Sequence, residues 1–168
     1  MSRRTRGITL LELLVSLVLL SIITIGLSSI DLFGRFHVIS SDRRAQVQNA
    51  LSYVLEEMSK DVIRAKGDFG NPGIVPAGTG FSVRIDNNTP PVIYALSGSQ
   101  ITKDGASLNS RDVIVPGPTP GFAYGILDNG VGIEIRLIGR YQPSQDASMD
   151  NPEIQMKTRV YSHSASAH

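Results

Sequence analysis

From Ile8 to Ile30 the chain reads ITLLELLVSLVLLSIITIGLSSI, 23 residues whose only charge is Glu12. As a helix rising about 1.5 Å per residue this run spans ~34 Å, enough to cross a hydrocarbon core of ~30 Å. The pattern changes at Asp31. Between Asp31 and Lys66 there is no proline, and the one glycine is Gly34. Val47, Leu51, Val54, Leu55, Met58 and Val62 recur at the spacing of an amphipathic helix, with Arg43, Arg44, Glu56, Glu57, Lys60 and Arg64 on the opposite side. Together the two patterns predict one helix over Ile8–Lys66, 59 residues and about 88 Å long. Gly34 and the Ser40-Ser41-Asp42 cluster are its candidate soft spots, because Ser and Asp side chains compete for backbone hydrogen bonds. Gly67 is the candidate C-cap.

The stretch GDFGNPGIVPAGTG (Gly67–Gly80) is rich in glycine and proline and reads as a loop. It lacks the lysine and the strand-before, helix-after setting of a phosphate-binding loop. Beyond it the predicted strands are Gly80–Asp86, Val92–Ser97, Ser99–Thr102, Asp112–Val115, Phe122–Leu127, Gly132–Arg140 and Glu153–Ser162. Asp128-Asn129-Gly130 is a hairpin turn signal joining two of them. In Ile133–Tyr141, residues Ile133, Ile135, Leu137 and Gly139 share one face, and Glu134, Arg136 and Ile138 the other. A long helix followed by a run of antiparallel strands is the α+β class, with a sheet packed on the amphipathic half of the helix.

Charge then orients the apolar run. The chain carries 16 basic and 15 acidic residues, but Arg3, Arg4 and Arg6 precede Ile8, and from Ile8 onward thirteen basic residues face fifteen acidic ones. Arginines before the run and Asp31 after it place residues 1–7 in the cytoplasm and the bulk of the chain across the membrane. The slightly negative remainder lacks the basic footprint of a dedicated nucleic-acid binder, so no nucleic-acid partner is expected. With no cysteine in the chain, disulfide scaffolds, thiolate metal sites and cysteine nucleophiles are excluded.

The exception inside the run is Glu12. A carboxylate in an apolar membrane helix costs on the order of 2.5–3.5 kcal/mol, less near the interface. A cleaved secretory signal does not account for it. Such signals have apolar regions of roughly 7–15 residues ending in a small-x-small site, and this run is longer and ends in no such site. A plain uncleaved anchor accounts for everything except the carboxylate. Glu12 lies four residues, one helical turn, beyond Ile8. A free amine at Ile8 would supply the missing cation, and that requires a cut after Gly7.

The run Arg6-Gly7-Ile8-Thr9-Leu10-Leu11-Glu12 with the apolar stretch behind it resembles the leader and first turn of type IV pilins and type II secretion pseudopilins. The resemblance implies that a prepilin peptidase cuts after Gly7 and methylates the new N-terminus at Ile8. Glu12 then becomes the fifth mature residue, which in that family pairs with the N-terminal amine of a neighbouring subunit during assembly. It also implies the family's lollipop architecture, divided as leader 1–7, transmembrane and assembly helix 8–30, amphipathic continuation 31–66 and globular β-rich domain 67–168. Two departures, Ile8 where major pilins have Phe and Ser29 where many have a helix-bending proline, point to a minor subunit. The later segments LEEMSKDVIRA, YALSGSQITKDGASL, the strand pair around the DNG turn and MKTRVYSHS are similar to J-type minor pseudopilins and W-type minor pilins.

The resemblance thus implies a structural subunit near the tip of a type II secretion pseudopilus, initiating its assembly. Its partners are the prepilin peptidase, other pilin or pseudopilin subunits, the assembly platform and the bacterial inner membrane, with the globular domain periplasmic. A minor type IV pilin for pilus initiation, adhesion or DNA uptake is the alternative within the family. A membrane-anchored periplasmic ligand-binding domain is the alternative outside it. No catalytic spacing links His37, His163 or His168 to a Ser or Asp, so no enzyme activity and no cofactor are expected. Asp146, Asp150 and Glu153 are an oxygen-rich candidate for Ca²⁺, although their spacing matches no established loop and a solvated polar loop is the simpler reading.

Overall fold

The computed structural model describes residues 9–67, 72–86, 89–109, 111–116 and 121–163. Helix α1 runs over Leu10–Arg64, 55 residues. The chain forms two compact units, Met1–Ile39 and Ser40–His168, and α1 contributes to both. The candidate soft spots stay helical. At Ser40 and Asp42 the side chains are occupied elsewhere: the Ser40 hydroxyl donates to the Met149 carbonyl and Asp42 accepts from Gln46 one turn on. Gly67 does not cap the helix. The Ala65 N–H closes the last turn on the Val62 carbonyl and the Lys66 N–H donates to the Arg84 carbonyl, so the chain leaves the helix in extended pairing. Glycine is needed at 67 for a different reason, since a Cβ there would lie 2.0 Å from the Gly73 nitrogen.

Within Ser40–His168 the strands form two antiparallel sheets rather than the single sheet expected. The first has the order β1 (Ile74–Ala77), β2 (Gly80–Val83), β3 (Val92–Ser97), β4 (Gln100–Lys103) and β5 (Ala106–Ser107); the second is β6 (Phe122–Leu127), β7 (Gly132–Gly139) and β8 (Ile154–Tyr161). β1 lies inside the stretch read as a loop. It is an edge strand, the position where Pro76, which has no N–H to donate, is tolerated. β5 is two residues long and follows a turn in which Asp104 and Gly105 both take positive φ. Asp112–Val115 is not a full strand: Ile114 forms one bridge to Gly139, flanked by hydrogen bonds from Arg140 to Val113 and from Val115 to Ile138. The DNG hairpin is present. Asp128, Asn129 and Gly130 all have positive φ, and the β6–β7 ladder closes on the Leu127–Gly132 pair.

The core follows the helical pattern. Val47, Leu51, Val54, Leu55, Met58 and Val62 are buried on α1, and Ile133, Ile135, Leu137 and Gly139 are buried on β7. Helix and β7 approach closely at Gly139, where a Cβ would stand 3.1 Å from both Leu51 and Val47 side chains. Phe81 of β2 joins the two sheets, its ring centroid 5.4 Å from Tyr94 and 6.1 and 5.6 Å from Phe122 and Tyr124 of β6. At these separations tilted aromatic pairs add about 0.5–1.5 kcal/mol beyond area burial.

One polar cluster ties the helix to the first sheet. Asp61, 4 % exposed on the core face of α1, accepts from the Tyr94 hydroxyl at 2.7 Å and from Lys103 at 2.8 Å. Lys103 also reaches Glu57 at 2.9 Å. Burial, then the hydrogen bond to Asp61, pushes the Tyr94 phenol far above its ordinary range. At Lys103 burial opposes the charged form, but hydrogen bonds to Asp61 and Glu57 outweigh it and the pKa is raised. A pKa raised on folding gives stability that is complete below the unfolded values, about 10 for Tyr and 10.4 for Lys, and is lost as pH climbs through the folded ones. The fold is therefore expected to lose stability above about pH 10. Lys103→Met, which removes the only cation beside buried Asp61 among the described residues and leaves it the Tyr94 hydroxyl, should lower stability by about 3–5 kcal/mol, whereas Lys60→Ala, in an exposed pair with Glu56, should leave the unfolding midpoint in place. Denaturant titrations followed by circular dichroism from neutral to alkaline pH check all three.

Candidate functional site

Thr9 stands immediately before α1. Its carbonyl accepts the first intrahelical bond from Leu13 at 3.1 Å, and its Oγ1 accepts from the Glu12 N–H at 3.3 Å. Thr9 is therefore the N-cap, and Glu12 sits at the third helical position, the acidic place of a Thr-x-x-Glu capping box. That signature is present in the sequence as Thr9-Leu10-Leu11-Glu12, and treating Glu12 only as a misplaced charge passes over it. The positive end of the helix dipole favours a carboxylate here by about 0.3–1 kcal/mol. The insertion cost is about 2.5–3.5 kcal/mol, so capping offsets only a minor part of it. The Glu12 carboxylate forms no hydrogen bond or ion pair with another described residue.

Every other polar side chain between residues 10 and 30 is satisfied within the helix. Ser16, Ser21, Thr24, Ser28 and Ser29 each donate a hydroxyl hydrogen bond to the carbonyl four residues earlier. In hydrocarbon, where no water is available, such back-bonding removes the penalty of an unpaired donor. The apolar side chains around them are bare, with Leu10, Leu11, Ile25 and Ile30 among the most exposed. α1 is long and apolar enough here to cross a membrane. Asp31 and Arg35, paired at 3.1 Å one turn apart, bring charge back to the helix. Ser29 sits in regular helix, where a proline would break the bond its N–H makes.

Gly7, Ile8 and the leader residues Arg3, Arg4 and Arg6 lie outside the described residues, as does His168. The calcium candidates are not gathered into one site. Glu153 is engaged by Arg140 through Nε at 2.8 Å and through Nη2, the Asp150 carboxylate stands 4.0 Å from Arg43, and the backbone carbonyl of Asp146 accepts from Asn151 at 3.1 Å. The centre of this loop is filled by the Asn151 side chain, 3 % exposed, whose amide also donates to the Gln142 carbonyl and accepts from the Gln142 N–H. No group of three His, Cys, Asp or Glu able to hold a metal occurs among the described residues. A groove beside Gln46, Val47, Tyr53, Leu108 and Tyr141 has a volume of about 570 Å³. Its one cation, Arg111, is already bonded to Gln46 and Tyr141.

Comparison with known families matches residues 2–28 to the prokaryotic N-terminal methylation motif. The chain carries a prepilin signal. The motif supports a precursor of the type IV pilin-like or pseudopilin kind, and it implies processing by a prepilin peptidase and assembly with other pilin subunits. No curated protein and no solved structure matches the chain. The prepilin signal takes in Thr9 and Glu12, so the N-cap and the one unpartnered carboxylate of the span fall inside the matched motif. Thr9→Val, which keeps the shape and removes the acceptor, should weaken the helix start by about 1 kcal/mol, seen as roughly fivefold faster amide exchange in the first turn in micelles. Thr9→Ser should restore it.

Proposed function

We propose that this chain is a minor, structural pilin-like subunit of a type II secretion pseudopilus, cut after Gly7, methylated at Ile8 and assembled near the filament tip to initiate assembly. The observation that carries the reading is Glu12, whose backbone N–H is capped by Thr9 while its carboxylate has no partner among the described residues, in an otherwise self-satisfied apolar helix. An amine created at Ile8 places a cation within one turn of it. Arg3, Arg4 and Arg6 keep the leader in the cytoplasm, where the peptidase acts, and the β-rich unit lies on the periplasmic side of the inner membrane. Ile8 in place of Phe and a helical Ser29 in place of proline support a minor subunit. In this role the assembly platform and neighbouring subunits are partners, lipid covers residues 10–30 before assembly, and other helices cover them afterwards. No step in the role is catalytic, and the chain is not an enzyme in this reading.

The deciding measurement is the intact mass and N-terminal sequence of the protein extracted from its own membranes. A chain starting at Ile8 and about 14 Da heavier than its sequence is expected, the mark of cleavage and one methylation. Gly7→Ala should leave the full-length precursor. A wild-type chain starting at Met1 or Ser2 would overturn the reading in favour of a plain anchor. Glu12→Leu should insert at least as well as the wild type, yet be depleted from filaments; undiminished incorporation would remove the pairing role.

A further inference from the structure

Among the described residues, nothing covers one side and one edge of the second sheet. β8 pairs with β7 over eight consecutive residues without a bulge, and β7 is its one strand neighbour among the described residues. Apart from that ladder, no backbone group of Ile154–Tyr161 hydrogen-bonds another described residue. Gln155, Lys157, Arg159 and Tyr161 are the exposed positions of β8. The register places Lys157 opposite Arg136 and Arg159 opposite Glu134, so these four side chains share the sheet's outward face.

The charges on that face do not balance. Glu134 serves two cations, Lys157 at 2.8 Å and Arg159 through the other carboxylate oxygen. Arg136 is exposed and forms no ion pair with another described residue. Its cross-strand partner Lys157 is a like charge, an arrangement that is unfavourable for the isolated sheet. The β6 residues paired with this stretch are Ala123 and Gly125, with no bulk to cover it. At the far end the Tyr161 ring lies across Gly132, where a Cβ would be 2.6 Å from the ring.

We infer that the free edge of β8 is a docking site for an extended, acidic segment of another protein, which adds as a fourth strand and sets carboxylates at alternate positions beside Lys157 and Arg159. Main-chain hydrogen bonds to an open edge supply attachment, and side chains at alternate positions supply choice of partner. The same cations repel a second copy of β8 laid against the first, so the edge discriminates against self-pairing while accepting a strand of opposite charge. A protein segment is favoured over a polyanion because the Ser40–His168 unit as a whole carries twelve basic and thirteen acidic residues. Its attraction for anions is therefore local to this face. The inference is independent of which filament the chain joins.

The test uses the full chain in non-ionic micelles and a short fluorescent peptide alternating Glu with Val, read by anisotropy. Expected results are saturable binding, none with Lys in place of Glu, and none when alternate backbone amides of the acidic peptide are N-methylated. Bound peptide should slow amide exchange along Ile154–Tyr161. Lys157→Glu with Arg159→Glu should weaken binding at least about tenfold, with an unchanged circular dichroism spectrum as the folding control, and Arg136→Ala, which breaks no ion pair, should weaken it less. Equal binding of the N-methylated peptide would replace strand addition by simple charge contact. Equal binding of a short DNA duplex would make the face a polyanion site. No saturable binding of the acidic peptide, or concentration-dependent self-association through β8, would also overturn the proposal.

Discussion

A carboxylate cannot sit on the core face of a helix without partners, since the effective penalty for burying an ion is several kcal/mol. Asp61 is in that position, and its partners determine how the first sheet meets α1. Tyr94 and Lys103 lie on adjacent strands in a direct cross-strand pair, so one carboxylate captures two neighbouring strands and fixes their register against the helix. Glu57, one turn earlier, takes the remaining reach of Lys103. Around this point the packing is apolar and less particular. Phe81 bridges to the second sheet, and Gly139 lets β7 approach Leu51 and Val47.

The helix thus carries two acidic residues in unfavourable places, and the contrast between them separates architecture from assembly. Asp61 is answered inside its own chain by a phenol and an ammonium. Glu12 is answered only in part, by the N-terminal end of its own helix, with Thr9 setting where that end falls. The first arrangement is complete in one molecule. The second leaves a charge for something outside the described residues to neutralise.

Periodicity made α1, its six buried apolar residues and the inward face of β7 legible, because in each case burial alone selects one face. The fifth residue behind Gly7 was legible because a lone charge in a 23-residue, otherwise uncharged run is conspicuous. Other features left weaker traces. Asp61 reads like any solvated helix residue, since its partners lie more than thirty positions away on strands. β1 was hidden by a composition typical of loops, and the two sheets meet through aromatic packing between strands distant in sequence. Asp146, Asp150 and Glu153 suggest a cation by composition, whereas the amide of Asn151 and the guanidinium of Arg140 do the organising there. Arg43 and Glu57 were placed on the solvent side by the helical wheel, and both are half-buried because loops and strands fold over the flank of the helix.

The back-bonded hydroxyls between Ser16 and Ser29 have a consequence for how interchangeable that surface is. Serine and threonine make a helix look more polar on a hydropathy scale than it behaves, because each donor here is already committed to a carbonyl of its own helix. What remains facing outward is methyl, methylene and the small profile of the side chain. Such a surface makes no demand for a particular hydrogen-bonding neighbour, so acyl chains and the side chains of another helix are equivalent company for it. Moving from one to the other requires no hydroxyl to change partner, and the exchange can be governed by shape and by the single carboxylate at its end.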